Sequence, residues 1–387
     1  MSYSVIDLPL PLVAAFSSRR HNPSAPSRRQ GKLCHQSQAR TRRSSTVFST
    51  NTLLDDRPSD QSKKVRPSSS KPSAIPVSPP FPDGPTCGGT VVTIPPSETY
   101  RLDTKTLGND WILPSREIQV RLPASYDENI GQRYPVLYCH DGQNAISDQD
   151  SWTGRSWRLA GALQRLHEHM LIDVEPILVL LPSSDEDLQL PLLPAIRRRH
   201  LEYGDYGTPF ADAHSYFVAE TLKPVVDTLF RTYTGPFDTA AIGTSMGGQA
   251  SMNLLLKYPD KFSGGVAALS PFFGRQTLSK ASEVAFRNKD ILRNKKIYMD
   301  IGGDVDDIKV PMIDILDHMT PKHFWNPGYF WLDTQLQQTV GEMDAILDRA
   351  EANKEFHQVP GGRHNERAWS QRIHLPLLHL YGKSSKR

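Results

Sequence analysis

The chain has too few cysteines to be built on disulfide bonds. It contains three, Cys34, Cys87 and Cys139, among 387 residues, and no two of them form a C-x-x-C pair. A small secreted domain stapled by disulfides carries an even and denser set of cysteines. Cys139 lies in an apolar run, which is typical of a buried thiol. This usage fits a reducing compartment.

The chain also lacks a long apolar run, a basic face, a phosphate loop and a metal-ligand pattern. No apolar run reaches the roughly 18 residues that span a bilayer, so we expect no transmembrane segment. Residues 87–387 carry 32 Lys or Arg against 37 Asp or Glu, which argues against nucleic-acid binding. Gly302-Gly303 has no Lys at phosphate-loop spacing, and the histidines lack zinc-ligand spacing. We therefore predict neither a cofactor nor a metal.

The N-terminal part of the chain has a different composition from the rest. Residues 17–50 contain no acidic residue and are rich in Ser, Arg and Pro. This composition is typical of an organelle transit peptide, so we predict one over residues 1–50. Plastid import is the first interpretation and mitochondrial import the second, with an ordinary disordered tail as the alternative. Residues 51–86 are too poor in apolar residues to fold, which predicts a disordered linker and one domain over residues 87–387.

The domain alternates short apolar segments with segments of helical spacing. Buried apolar strands that alternate with helices favour an α/β fold with a mostly parallel central sheet and helices on both faces. The predicted strands are Thr90–Ile94, Arg116–Leu122, Tyr134–Cys139, Pro176–Leu181, Thr239–Ile242, Gly265–Leu269, Lys296–Ile301 and Phe356–Val359. The predicted helices are Trp157–His169, Ala211–Tyr233, Gly247–Tyr258, Leu332–Ala352 and Glu366–Tyr381.

Gly243-Thr244-Ser245-Met246-Gly247 is a G-x-S-x-G motif between a predicted strand and a predicted helix. In this setting the motif predicts a tight turn that exposes the Ser245 hydroxyl above the sheet. The motif alone also occurs by chance in chains of this length. A serine hydroxyl is a poor nucleophile until a base removes its proton, so the prediction depends on the partners of Ser245.

Two later loops supply candidate partners in the order that α/β-hydrolases use, which is serine, then acid, then histidine. His364 and the aspartates Asp304, Asp306 and Asp307 each follow a predicted strand. Both loops therefore lie at the carboxyl edge of the predicted sheet. We predict His364 as the base and Asp306 as the acid that orients it, with Asp304 and Asp307 as alternates. A surface-loop histidine is the alternative interpretation of His364.

An ester-cleaving serine also needs two backbone N–H groups to stabilise the oxyanion. Met246 follows the nucleophile and lies at the positive end of a predicted helix, which makes its N–H the first predicted donor. The second is predicted from Gly142 or Gln143, in the loop after the strand that ends at Cys139. A plain turn that ends the strand is the alternative for this loop.

From about residue 90 to residue 382 the chain resembles a family of α/β-hydrolase esterases. This family includes enterochelin esterases, esterase D-like S-formylglutathione hydrolases, feruloyl and acetyl-xylan esterases and mycolyltransferases, and the enterochelin-esterase-like branch is the most similar. The resemblance implies an α/β-hydrolase fold, Ser245 as nucleophile, His364 as base and an acid in the loop 304–307. The matching segments are Tyr134–Asn144 (YPVLYCHDGQN), Arg199–Tyr203 (RHLEY), Gly243–Gly248 (GTSMGG), Ala268–Phe273 (ALSPFF), Asp300–Asp304 (DIGGD) and Gly361–Glu366 (GGRHNE).

Residues 308–331 form a longer and more aromatic connection than the resemblance implies. Its aromatic residues fit equally a substrate pocket wall or lid and core packing or a partner surface. The whole pattern predicts a serine esterase that hydrolyses a small-molecule, glycan or lipid ester through an acyl-enzyme. The alternatives are an acyltransferase with the same catalytic residues and a non-catalytic binding module of the same fold.

Overall fold

The computed structural model describes residues 77–84, 87–95, 102–103, 112–113, 116–184, 186–189, 195–303 and 328–383. The predicted transit peptide, residues 1–50, lies outside these ranges. So do the three aspartates of residues 304–307 and most of the aromatic connection 308–331.

An eight-stranded sheet forms the centre of the domain. Its strand order is β1-β2-β4-β3-β5-β6-β7-β8. The β2 strand runs antiparallel to β1 and β4, and the other neighbouring strands are parallel. The strands are β1 Thr90–Ile94, β2 Ile118–Leu122, β3 Val136–His140, β4 Ile177–Leu181, β5 Thr239–Thr244, β6 Gly265–Leu269, β7 Lys296–Ile301 and β8 Asn353–Gln358. Two short strand pairs, Leu102–Asp103 with Ile112–Leu113 and Asp187–Leu188 with Ile196–Arg197, lie outside this sheet.

Helices connect the strands and cover the sheet. A π-helical segment, Phe217–Leu222, joins two of them into one continuous helical stretch. The α-helices are α1 Leu159–Glu168, α2 Arg198–Glu202, α3 Pro209–Tyr216, α4 Lys223–Leu229, α5 Met246–Lys257, α6 Arg275–Arg287, α7 Asp290–Arg293, α8 Gly328–Arg349, α9 Glu366–Ser370 and α10 His374–Tyr381. Within the described ranges, none of the helices combines the length and the hydropathy needed to cross a bilayer.

The sheet is buried on both faces because its central strands are apolar at successive positions. In β4, Leu178 and Leu180 pack with α1 and α10 in one cluster of buried residues. Ile177 and Val179 point to the opposite face and pack with residues of α3 and α4. On that face, β6 and β7 also pack with α5, α6 and α8. This two-sided α/β architecture confirms the predicted fold class.

The domain begins earlier than the sequence predicts. Phe81 is 2% exposed and Val77 is also buried, so the predicted linker 51–86 is wrong for residues 77–84. The Phe81 carbonyl accepts a hydrogen bond from Arg158 Nη1 at 2.9 Å. A Cβ at Gly161 would lie 2.2 Å from the carbonyl oxygen of Pro82, so α1 admits this segment only because residue 161 is glycine. Two large apolar side chains are enough to dock a stretch that is otherwise rich in Pro and Ser.

Candidate active site

Ser245 occupies the turn between β5 and α5. Its backbone has φ 54° and ψ −125°, a conformation that residues with a side chain rarely adopt. Such strain persists where the surrounding structure enforces it, often at functional sites. The Ser245 and Met246 side chains are partly exposed, in contrast to the buried residues on either side of them. The turn is the strand-to-helix geometry that the motif predicts.

Glycines let three backbone segments meet at this turn. A Cβ at Gly243 would lie 2.3 Å from the carbonyl group of Gly247, so the strand and the helix could not approach as they do. A Cβ at Gly247 would lie 3.0 Å from Asp141 Oδ2. The loop after β3 therefore lies directly against the turn that carries Ser245.

This loop, Asp141–Asn144, contains the predicted oxyanion donors. Asp141 has a left-handed backbone, and Gly142–Asn144 form one turn of 3-10 helix. The Gln143 side chain anchors the turn through hydrogen bonds to the Ser183 hydroxyl (2.7 Å) and from the Ser183 N–H (3.0 Å). Within the described part of the chain, the backbone N–H groups of Gln143 and Met246 donate to no protein acceptor. Two N–H groups flanking the serine are thus available to a ligand.

Asp141 is fixed by Arg199 and Tyr203. Both carboxylate oxygens of Asp141 accept a hydrogen bond of 2.7 Å from the Arg199 guanidinium. The Asp141 N–H donates to the Tyr203 hydroxyl at 3.1 Å. A bidentate pair of this kind fixes orientation as well as distance. The RHLEY segment, which sequence analysis gave no role, therefore holds the oxyanion loop.

His364 follows β8 and is almost fully buried. Its Nδ1 lies 2.6 Å from Asp333 Oδ1, and the two side chains are 2% and 0% exposed. The strand that precedes His364 runs parallel to the strand that precedes Ser245. Both residues therefore lie at the carboxyl edge of the sheet, where α/β folds place their sites.

The carboxylate that contacts His364 is Asp333, which sequence analysis did not consider. Nδ1 carries at most one proton, and Asp333 occupies that position. Asp333 Oδ2 also accepts from the Gly302 N–H (3.1 Å) and the Ser270 hydroxyl (2.9 Å). The structure thus brings a residue of α8, and not one that the sequence proposed, to the imidazole. Asp306 and its alternates Asp304 and Asp307 lie outside the described residues.

One sequence signal could have identified Asp333. Sequence analysis predicts a helix over Leu332–Ala352, and Asp333 shares the helical face of Leu336, Val340 and Met343. A carboxylate on the buried face of a helix requires a polar partner, because burial without one is costly. The predicted helix therefore indicates that Asp333 is a buried acid with a polar partner.

Glu366 is a second buried carboxyl group at the site. It lies two residues after His364, and its Oε1 is 3.5 Å from Asn144 Nδ2 in the oxyanion loop. Burial raises the pKa of Glu366 to about 7, and hydrogen bonds to Thr153 and Trp152 only partly offset this effect. Glu366 therefore connects the histidine loop to the oxyanion loop and titrates near neutral pH.

A cluster of aromatic rings lies next to the oxyanion loop. The rings of His140, His214 and Tyr203 lie 5.2–5.3 Å from one another. His140 Nδ1 lies 2.8 Å from the Ser251 hydroxyl on α5. Burial lowers the pKa of His214 to about 3 and moves the pKa of His140 well below its ordinary value. Both imidazoles are therefore neutral at neutral pH.

Residues 113–377 match the family described as "Putative esterase". The chain belongs to this family. Its similar relatives include the uncharacterized protein YjcH of Bacillus subtilis, which is 26% identical over 202 residues, or 52% of this chain and 72% of YjcH. A second, the uncharacterized protein YbbA of the same species, is 25% identical over 191 residues, or 49% of this chain and 69% of YbbA.

Solved structures of esterases share the fold. The enterobactin esterase FES of Shigella flexneri aligns with a TM-score of 0.50 at 14% identity, covering 77% of this chain and 60% of that protein. The ferulic acid esterase AmCE1/Fae1A of Anaeromyces mucronatus aligns with a TM-score of 0.48 at 19% identity, covering 75% and 90%. The domain has the α/β-hydrolase fold, and membership of the esterase family supports ester hydrolysis as its class of reaction.

Proposed function

We propose that this esterase is a serine carboxylic-ester hydrolase that works through an acyl-enzyme. Ser245 is the nucleophile, His364 the base and Asp333 the acid that orients it. The buried 2.6 Å contact between His364 Nδ1 and Asp333 carries this proposal, because it leaves Nε2 as the basic nitrogen. The strained turn presents the serine at the same edge of the sheet.

In the first half of the reaction, His364 Nε2 takes the proton of Ser245 Oγ while Oγ attacks the ester carbonyl carbon. The negative charge that develops on the carbonyl oxygen is stabilised by the N–H groups of Met246 and Gln143. Asp333 stabilises the imidazolium that forms. The imidazolium then protonates the leaving alcohol, and the acyl group stays on Ser245.

In the second half, water replaces the alcohol. His364 takes a proton from the water as its oxygen attacks the acyl carbon, and the same two N–H groups stabilise the second tetrahedral intermediate. Collapse of this intermediate breaks the acyl bond to Ser245 Oγ, which recovers its proton from the imidazolium. The products are a carboxylic acid and an alcohol.

The substrate class is a carboxylic ester of a small molecule, a glycan or a lipid. Structural neighbours bear the names enterobactin esterase and ferulic acid esterase, which makes catechol-acyl and hydroxycinnamoyl esters the first compounds to screen. Hydrolysis is separated from acyl transfer by product analysis with an added acceptor alcohol. A dominant transferred ester would favour the acyltransferase.

The test compares wild type with Ser245→Ala, using fluorophosphonate labelling and turnover of short p-nitrophenyl esters. Wild type should be labelled and active, and Ser245→Ala should lose both properties. Ser279→Ala, at an exposed serine of α6, is the matched control and should behave as wild type. Turnover that persists in Ser245→Ala would refute the assignment of Ser245 as the nucleophile.

We further propose that residues 1–50 direct import into an organelle, with the plastid as first choice and the mitochondrion as second. The Arg-rich, acid-free composition of residues 17–50 supports this proposal. A fluorescent reporter fused behind residues 1–76 should concentrate in that organelle. The same fusion with Arg19, Arg20, Arg28 and Arg29 replaced by Glu is the control and should stay in the cytosol. A diffuse wild-type fusion would refute import.

A further inference from the structure

The hydroxyl of Ser270 lies at a junction behind the acid of the catalytic site. Ser270 is fully buried and directly follows β6. Its hydroxyl donates to Asp333 Oδ2 at 2.9 Å and accepts from Trp369 Nε1 at 3.2 Å and from Arg372 Nη2 at 3.0 Å. A hydroxyl has one proton to donate and two lone pairs. All three positions are used, so the orientation of this hydroxyl is fixed.

Arg372 brings a buried positive charge to the junction. Its Nε and Nη2 bind the two carboxylate oxygens of Asp300 at 2.9 and 3.0 Å. Burial alone would lower the pKa of Arg372, but Asp300 and, to a smaller extent, Asp333 raise it above its ordinary value. The guanidinium therefore interacts electrostatically with the catalytic acid as well as with its own partner.

We propose that Ser270 and Arg372 are positioning residues that fix the Asp333 carboxylate against the imidazole of His364. The geometry forms one chain of hydrogen bonds from the Arg372 guanidinium through the Ser270 hydroxyl and the Asp333 carboxylate to the imidazole. We call this chain the acid relay. Its kinetic consequences rest on the proposed function, whereas its effect on the hydrogen bond between Asp333 and His364 does not.

The orientation argument follows from the contacts of Asp333. One oxygen faces His364, and the other accepts from both Gly302 and Ser270. Rotation of the carboxylate would break all three hydrogen bonds in a site without solvent. Ser270 also adopts φ 43°, which a residue with a side chain rarely does unless its surroundings enforce it.

The charge argument follows from the sign of Arg372. Its positive charge interacts with Asp333 and polarises the Ser270 hydroxyl that lies between the two side chains. Without Arg372, Asp300 and Asp333 would be two buried carboxylates with no cation beside them, and their repulsion would favour another arrangement of the acid. The charge of Arg372 thus helps to hold Asp333 in its observed position.

Other charged groups lie around the candidate site. Glu366, the first residue of α9, follows His364 by two residues, and Asp141, paired with Arg199, lies on the oxyanion loop. Tyr298 donates to Asp300 at 3.1 Å from within β7. Substitutions at Ser270 or Arg372 change none of these residues. A change in the hydrogen bond between Asp333 and His364 therefore reports on the relay.

The relay also adjoins the turn that carries the nucleophile. The Ser245 N–H donates to the carbonyl of Leu269 at 3.0 Å, and Leu269 is bonded to Ser270. The Ser270 N–H in turn donates to Asp300 Oδ1 at 3.0 Å. The ends of β5, β6 and β7 are thus joined by hydrogen bonds through the residues of the relay.

The experiment uses four variants of the full chain. Ser270→Gly removes the hydroxyl, and glycine adopts φ 43° without strain, so this variant is expected to fold. Arg372→Met removes the charge at similar length, and Arg372→Lys retains it. Ser279→Ala is the exposed control. The hydrogen bond between His364 and Asp333 is monitored by the NMR chemical shift of the His364 Nδ1 proton, which is assigned by its loss in His364→Gln.

In Ser270→Gly we expect kcat to fall roughly ten- to hundred-fold with KM within about two-fold, because the acid is misplaced rather than the substrate site. The NMR signal of the His364 Nδ1 proton should move upfield, because its hydrogen bond to Asp333 becomes weaker. Arg372→Met should move this signal in the same direction, and Arg372→Lys should move it by less. The value of kcat should fall more in Arg372→Met than in Arg372→Lys.

A folded Ser270→Gly with the wild-type kcat and the wild-type chemical shift of the His364 Nδ1 proton would overturn the proposal. If Arg372→Met does not fold, Ser270→Gly and Arg372→Lys decide. If wild type shows no Ser245-dependent turnover, the proposed function fails. The NMR measurement still decides the relay in that case, because it requires no substrate.

Discussion

The contact between His364 and Asp333 sets which imidazole nitrogen is basic. We expect Asp333→Asn to lower kcat by about 10⁴-fold, because an amide that donates to Nδ1 favours the wrong tautomer of His364. The equivalent substitution has this effect in serine proteases. Steady-state hydrolysis of p-nitrophenyl acetate measures the effect. Asp306→Asn is the matched control and should stay within a few-fold of wild type. The opposite result would return the acid to the loop 304–307.

Glu366 should make the folded state less stable as the pH rises. Its folded pKa is about 7 against an ordinary value of 4.5. Between these values the unfolded chain releases the proton while the folded chain retains it, so the free energy of unfolding falls as pH increases. Glu366→Gln should remove this decline between about pH 4.5 and 7. Urea unfolding across that range measures it, and a slope equal to that of wild type would contradict the assignment.

At the scale of elements, the apolar pattern predicts the central strands best. The predicted bounds of Gly265–Leu269 and Lys296–Ile301 agree with β6 and β7, since both segments are short and rich in apolar residues. The β8 strand begins three residues before the predicted Phe356, because Asn353–Glu355 are polar and half exposed at the sheet edge. The predicted helix Ala211–Tyr233 corresponds to α3, the π-helical segment and α4, and Pro224 lies at the start of α4, directly after the π-helical segment. The regular α-helix is thus interrupted beside Pro224, which cannot donate a backbone hydrogen bond.

The residues of the candidate site also differ in how well the sequence predicts them. Ser245, Met246, Gln143 and His364 could be proposed from the sequence because local features mark their turns: glycines, strand ends and chain order. Asp333 was missed because only the fold brings the start of α8 to the imidazole. Helical spacing marks Asp333 as a buried acid, but it does not identify the group that Asp333 contacts.

The N-terminal segment 77–84 acts as an element although it has no regular structure. Phe81→Ala should destabilise the domain by about 3–5 kcal/mol, because it removes a fully buried aromatic side chain and leaves a cavity. Chemical denaturation of residues 77–387 measures this loss. Ile130→Ala, at a residue that is 78% exposed, is the control and should change stability by about 0.5 kcal/mol or less. Equal effects of the two substitutions would contradict the docking of Phe81.

For the whole domain, the buried histidines should limit stability in acid. The folded pKa of His214 is about 3 against an ordinary 6.5, so the unfolded chain takes up the proton first as pH falls below 6.5. The free energy of unfolding therefore falls from about pH 6.5 towards pH 3. His214→Phe keeps an aromatic ring and should flatten part of this fall, with His140 responsible for the remainder. Thermal unfolding from pH 4 to 7 measures this loss of stability. If stability depends on pH in His214→Phe as it does in wild type, His214 is excluded as a cause of the loss.

The anchoring of Asp333 has a consequence for how this enzyme can change. The acid is fixed by Ser270 and Gly302, at the ends of two strands, and not by its neighbours in sequence. We therefore expect an exchange of residues 304–327, which separate Gly303 from α8, to leave the contacts of Asp333 intact, since loop length adds only slowly to the entropy of closure. Grafting this connection between relatives then tests, apart from the catalytic machinery, the prediction that it forms a wall or lid of the substrate pocket.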